Sequence, residues 1–312
     1  MSSLSILNYL NLCGYVINVF ITFFATPIFS LPAVEDVSAK FQTIITPAGI
    51  TFAIWSIIFL SQGIFTVMQM LPSYRNFEIV QRGVGHWYFL ACISQSLWYF
   101  PFALECMTLS VLFMGLIGFS LFNILKEQNL IHKSTLLDYW IFRFPFEIHF
   151  AWICTAFLVN INLAVVSAGG EMMTQVICGS ATLIILFLSA IFALFGIRNG
   201  PNYTIPSVFA WASVRQESCF LYLVSNEKLK YCFNFQFGIA LELHNPKSKI
   251  VEAFTTLTVS RFKIAAATLC AFIVSLTVAK AFYANRRRLT SPDLNHVVQT
   301  EDQNEASPLI DS

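Results

Sequence analysis

Charge is what this sequence has least of. Only 11% of its 312 residues are Asp, Glu, Lys or Arg, where a soluble domain of ordinary composition carries about 25%. The shortage runs along most of the chain, and the net charge of +1, with no basic patch interleaved with aromatics, offers nothing to a nucleic acid. Metal spacing is missing too. The eight cysteines (Cys13, Cys92, Cys106, Cys154, Cys178, Cys219, Cys232 and Cys270) form no CxxC, so they read as small apolar residues within membrane segments. No HExxH, GxSxG or phosphate loop occurs, and no catalytic residue, metal ligand or cofactor is assigned. The N-terminus lacks the basic region and cleavage site of a signal peptide, so the first apolar run reads as a retained helix.

What remains is hydrophobic: 56% of residues and a mean hydropathy of +0.67. Runs long enough to cross a bilayer lie near Leu7–Leu31, Ala48–Met70, His86–Glu105, Met107–Leu125, Pro145–Ala168, Gln175–Ile197 and Phe262–Tyr283. An irregular eighth lies between Ile205 and Asn245. Open strands cannot satisfy their backbone in lipid, so the expected fold is all-α, a polytopic membrane bundle of about eight helices. Placing the N-terminus in the cytosol puts Arg75, Arg82, Lys126, Lys133, Arg143 and Arg198 in cytosolic loops and only Lys40 opposite over the same span. Arg286, Arg287 and Arg288 agree, while Lys247, Lys249 and Arg261 count the other way. This topology puts the sequon Asn202-Tyr203-Thr204 in the cytosol, away from glycosylation.

Three segments carry candidate site residues. In "TPAGITFAIWSIIFLSQGIF" the residues Phe52, Trp55, Phe59, Gln62 and Thr66 share one helical stripe, aromatic at one end and polar deeper in. In "FPFEIHFAWICTAFLVNINL" the residues His149, Trp152, Ala156 and Asn160 follow at steps of 3, 4 and 4 and share a face. A histidine, an indole, a gap left by a small residue and an amide read either as a pocket wall or as helix-packing glue. "QSLWYFPF" adds Gln95, Trp98 and Pro101.

Together these segments resemble the translocator protein / tryptophan-rich sensory protein family, once called the peripheral benzodiazepine receptors. Pro47, Gly49 and Phe52 match the family's Pro-x-Gly-aromatic-x-Phe opening, with Ile50 in place of the aromatic and Trp55 one residue early. Gln95-x-x-Trp98 stands where the family has Asn-x-x-Trp, and Trp152, Ala156 and Asn160 match its Trp-x3-Ala-x3-Asn in full. The resemblance covers about Asn8 to Ala168; the later helices look like an extended branch of the family. It implies a translocator-like five-helix core at residues 1–168 with additional transmembrane helices at 169–285, and composition adds a disordered cytosolic tail at 286–312. It also implies an aromatic intramembrane pocket for a flat hydrophobic ligand of the porphyrin or sterol class. Phe52, Trp55, Trp98, His149, Trp152, Ala156 and Asn160 are its expected contacts, with membrane lipid the surrounding partner. The rival expectation is a proton-coupled solute transporter of the endolysosomal membrane using Glu147 and His149; a third is a membrane scaffold with no small ligand.

The tail is too polar to fold. Within it Glu305, Leu309 and Ile310 fit the acidic dileucine pattern, a signal by which clathrin adaptors direct membrane proteins to endosomes and lysosomes. Upstream, Val214–Gln236 interrupts what would otherwise be one short span with Arg215, Glu217, Glu227, Lys228 and Lys230. Val214-Arg215 and Asn234–Gln236 can be encoded by the forms of a 5′ and a 3′ splice site, so the stretch reads as a retained intron; the other reading is a helix-breaking loop lining a cavity. Sequencing cDNA across this junction is expected to return transcripts without Val214–Gln236, and recovery of the long form alone would overturn the intron reading.

Overall fold

The computed structural model describes residues 3–45, 49–131, 135–196, 202–212 and 271–283, and every regular element among them is helical. Pro47, the suspected insert at 214–236 and the tail with Glu305, Leu309 and Ile310 lie outside the described residues. Helix α1 (Ile6–Phe29) opens on a capping box, in which the Ser5 hydroxyl accepts from the Leu7 N–H and the Asn8 side chain accepts from the Ser5 N–H. A short helix α2 (Val34–Lys40) follows, and a 3-10 turn (Gly49–Ala53) leads into α3 (Ile54–Met68). A π-helical stretch (Ile79–Val84) precedes α4 (Trp87–Ala103), and α5 (Met107–Leu130) comes next. A single turn, α6 (Leu136–Asp138), passes through a second π-helical stretch (Tyr139–Arg143) into α7 (Phe144–Ser167). Then come α8 (Met172–Phe195), α9 (Thr204–Ala212) and α10 (Ala271–Tyr283).

Among the described residues five helical segments are long and apolar enough to cross a membrane: Ile6–Phe29, Thr51–Met68, Met107–Leu130, Leu136–Ser167 and Met172–Phe195. A helix of 24 residues spans about 36 Å, more than the hydrocarbon thickness. The expected run His86–Glu105 is realised as the 17-residue α4. The irregular segment after Ile205 is realised, within the described residues, as the nine-residue α9. Asn202, the sequon residue, starts that helix by accepting the Ile205 N–H at 3.0 Å.

Neighbouring helices close a ring. Helix α1 packs on α4, α4 on α5, α5 on α7, α7 on α3 and α3 back on α1, while α8 and α9 lie outside it against α7. The ring turns the soluble pattern inside out. The buried residues of α1 are Asn8, Asn11, Gly14, Asn18 and Ala25, whereas Val16, Phe20, Phe23 and Ile28 are exposed. Lipid tails are as apolar as leucine, so an inward face gains from small residues that allow close approach and polar ones that pair. Gly14 lies against Phe89 of α4, where an added Cβ would come within 3.0 Å of the ring.

At the end of the ring away from α2, α1 is tied to α3 by a knot of amides. Asn8 Nδ2 donates to the Gln69 carbonyl (3.0 Å), Gln69 Nε2 returns a bond to the Asn8 carbonyl (3.2 Å), and Asn11 Nδ2 donates to Gln69 Oε1 (3.3 Å). Gln81 Nε2 donates to Asn8 Oδ1 at 3.1 Å. Asn8, Asn11 and Gln69 are fully buried, so each bond removed leaves a polar group without water. Gln69→Leu is expected to cost about 2 kcal/mol, read as a lowered temperature for loss of the monodisperse peak on size-exclusion chromatography. Asn123→Ala, whose exposed amide bonds only its own helix at Phe119, should leave that temperature unchanged; equal behaviour of the two variants would show that the knot holds nothing.

Candidate functional site

In the half of the ring nearer α2 the helices stand apart around a cavity of about 320 Å³. The 3-10 turn and the start of α3 bring Phe52, Trp55 and Phe59 to it, α4 brings Gln95 and Trp98, and α7 brings Trp152, Ala156 and Asn160. Helical spacing explains the stacking. Trp55 and Phe59, one turn apart, lie nearly parallel with centroids 5.7 Å apart. Across the ring Trp152 meets Phe52 edge-on at 5.9 Å and Trp55 at 6.2 Å, the arrangement that aromatic quadrupoles favour. Trp98 rests on Phe102 at 4.8 Å. Ala156, one turn beyond Trp152, is half-buried and contributes no bulk.

Phe52, Trp55, Trp98, Trp152, Ala156 and Asn160 therefore lie on one cavity wall. His149 does not. The step of three residues from Trp152 carries it about 4.5 Å along the helix, beneath the aromatic floor, where it is 1% exposed and meets the edge of Trp55 at 5.7 Å. There Gln62 Nε2 donates to His149 Nδ1 at 2.8 Å, which places the proton of the neutral ring on Nε2, an atom with no partner among the described residues. Gln62 Oε1 accepts from the Tyr88 hydroxyl (3.3 Å), and the Thr66 hydroxyl donates to the Gln62 carbonyl (2.7 Å). The polar end of the sequence stripe is thus a hub that joins α3, α4 and α7.

Asn160 is satisfied from within the protein, donating from Nδ2 to Ser110 Oγ at 2.8 Å. Other wall atoms are not. Trp98 Nε1, Trp152 Nε1 and Gln95 Oε1 are buried with no hydrogen-bond partner among the described residues, each an energetic cost in a dry site. Glu147 lies apart from the cavity; it accepts from the Tyr139 hydroxyl at 2.9 Å, and that hydroxyl also meets Thr204 Oγ1 of α9 at 2.6 Å. Being two residues apart on a helix, Glu147 and His149 face different neighbours.

The sequence stripes missed two contributors. Helix α2 supplies Val34, Glu35 and Ser38, and Ala33 precedes it at the N-cap; it is a seven-residue element with no apolar run to mark it. Helix α1 supplies Thr22, Phe23 and Thr26, and the Thr26 hydroxyl is bonded to the Tyr99 hydroxyl at 2.5 Å. The asparagine and glycine stripe of α1 was a signal for its inward face. The exposed lining residues, Phe23, Glu35 and Ser56, mark the mouth, between α1 and α3 beside α2.

Behind the wall, α9 closes the back of Trp152. Val208 and Phe209 join Ile54, Ile58, Ala151 and Trp152 in one buried cluster, and Trp211 Nε1 donates to the Thr51 carbonyl at 3.0 Å. This geometry agrees with the chain's relationships. The family model described as TSPO-like protein matches residues 8–215, about two thirds of the sequence, and the chain belongs to that family. The match reaches past the motifs, which end at Asn160, to include α8 and α9, and it stops at the start of the 214–236 segment. No curated protein and no solved structure matches the chain.

The Gln62 hub sets a measurable coupling. In a double-mutant cycle of Gln62→Leu and His149→Phe, the two changes are expected to be non-additive by about 1 kcal/mol or more, read from thermal stability in detergent. Additive losses would mean that the pair contributes nothing to the floor.

Proposed function

We propose that this member of the TSPO-like protein family is a multi-pass membrane protein that binds a flat hydrophobic ligand, porphyrin- or sterol-like, in the cavity ringed by Trp55, Trp98 and Trp152. The observation that carries the reading is the cavity itself. Its volume of about 320 Å³ is at the lower end of the range for small-molecule sites, and its indole walls suit a planar body. Ala156 leaves the gap into which that body fits. The unpaired indole N–H groups of Trp98 and Trp152 add donors that a ligand acceptor could reach after small side-chain shifts. Binding, not catalysis, is the proposed activity: the family is generally non-enzymatic, and the described residues of the wall hold no paired acid and base.

Proton-coupled transport through Glu147 and His149 draws less support. His149 is enclosed against Gln62 and Glu147 is engaged with Tyr139, so the two do not form one site. Residence in the endosomal or lysosomal membrane, through a clathrin adaptor reading Glu305, Leu309 and Ile310, is a further part of the proposal and rests on the sequence alone.

The test is ligand titration of the full chain in lipid nanodiscs, following quenching of intrinsic tryptophan fluorescence by protoporphyrin and energy transfer to a fluorescent sterol. Saturable binding of at least one is expected, weakened about tenfold (about 1.4 kcal/mol) or more by Ala156→Phe, which fills the gap, and reduced in signal by Trp152→Phe. Absence of saturation with both, or saturation indifferent to Ala156→Phe, would overturn the reading.

A further inference from the structure

Among the described residues the walls of the cavity are uncharged, and its mouth is not. Among the described residues that line it, Glu35 is the sole charged side chain, and no Lys, Arg or His joins it. Glu35 stands in the first turn of α2 beside Asp36, and both are exposed. Acids in a first turn are ordinary complements to the helix dipole, but of these two only Glu35 lines the cavity. The one base on α2, Lys40, is held by both carboxylate oxygens of Glu105 at 2.6 Å, which leaves Glu35 and Asp36 without a compensating cation on their helix.

Granted the ligand-binding reading above, we infer that Glu35 selects the head group of the ligand: a flat amphiphile whose head donates a hydrogen bond, a hydroxyl or an ammonium, is taken, and one carrying carboxylates is refused. A carboxylate entering this mouth would lose hydration, meet no cation among the described residues of the wall and face a like charge. A hydroxyl or ammonium would find an ionised acceptor, the stronger class of hydrogen bond. The other exposed residues of the mouth, Phe23 of α1 and Ser56 of α3, lie on bilayer-crossing helices. An amphiphile dissolved in lipid can therefore pass its planar body between them while its head stays with Glu35. Of the two ligand classes proposed, this favours the sterol-like hydroxyl over a porphyrin with acidic side chains.

One ring with three heads tests it. Pyrenemethanol, pyrenemethylammonium and pyreneacetate accept energy from tryptophan and differ chiefly in the charge of the head. The full chain is titrated with each in phosphatidylcholine nanodiscs, with partition into empty discs subtracted. The alcohol and the ammonium are expected to saturate, and the acetate to bind about tenfold more weakly or worse, the scale of one partly screened charge pair. Glu35→Lys should reverse the order of ammonium and acetate, and Glu35→Gln should narrow the gap between them, while pyrenemethanol binding shows that both variants are folded. Acetate binding as tight as ammonium in the wild type, or an order that Glu35→Lys leaves unchanged, would overturn the inference while saturable pyrenemethanol binding upheld the cavity. Absence of saturation with all three probes would overturn both.

Discussion

The site stands on a buried amide. In a bilayer the contact of one apolar helix with another gains little over its contact with lipid, so polar pairs and close approach decide which helices meet. Gln62 is the point where this constraint is met in the middle of the ring: fully buried, it engages α7 through His149, α4 through Tyr88 and its own helix through Thr66. A leucine there would be content against lipid or protein alike. The amide has a preference, and the heights at which Trp55 and Trp152 meet across the ring follow from it. The aromatic chemistry above depends on polar chemistry below.

How much of this was legible in the sequence varies with the element. The wheel of α7 placed Trp152, Ala156 and Asn160 on one face, and they share the cavity wall, because 24 residues of regular helix keep their angular order. The same wheel could not give depth, and depth is what takes His149 off the wall and under it. Helix α2 was illegible for another reason. Its seven residues are too few for a periodic signal, and its role in the lining arises from where the ring leaves room. The two π-helical stretches have no sequence signature that propensity reasoning could use, yet they set the entry of α4 and α7.

The α2 corner is fixed by one buried anchor, Val37, which joins the main hydrophobic cluster, and by an ion pair at its end. Glu105, between α4 and α5, has a φ of 62°, a left-handed conformation unusual for a residue with a side chain. In that position its carboxylate meets Lys40 with both oxygens. The pair is partly exposed, with side chains 57% and 36% accessible, so it adds little to stability. Its effect is positional, holding the last turn of α2 near the ring while the first turn stays beside the mouth.

The bond from Trp211 to the Thr51 carbonyl has a consequence for how the protein is made. The chain emerges from the ribosome in order, and the five ring helices are all available once α7 has been synthesised. The buttress behind Trp152 and the start of α3 is not, because it lies on α9. Between those two moments the nascent chain holds a ring whose cavity wall lacks its backing. A truncation or transcript that removes α9 (Thr204–Ala212) therefore acts on the maturation of a site whose own residues it leaves untouched.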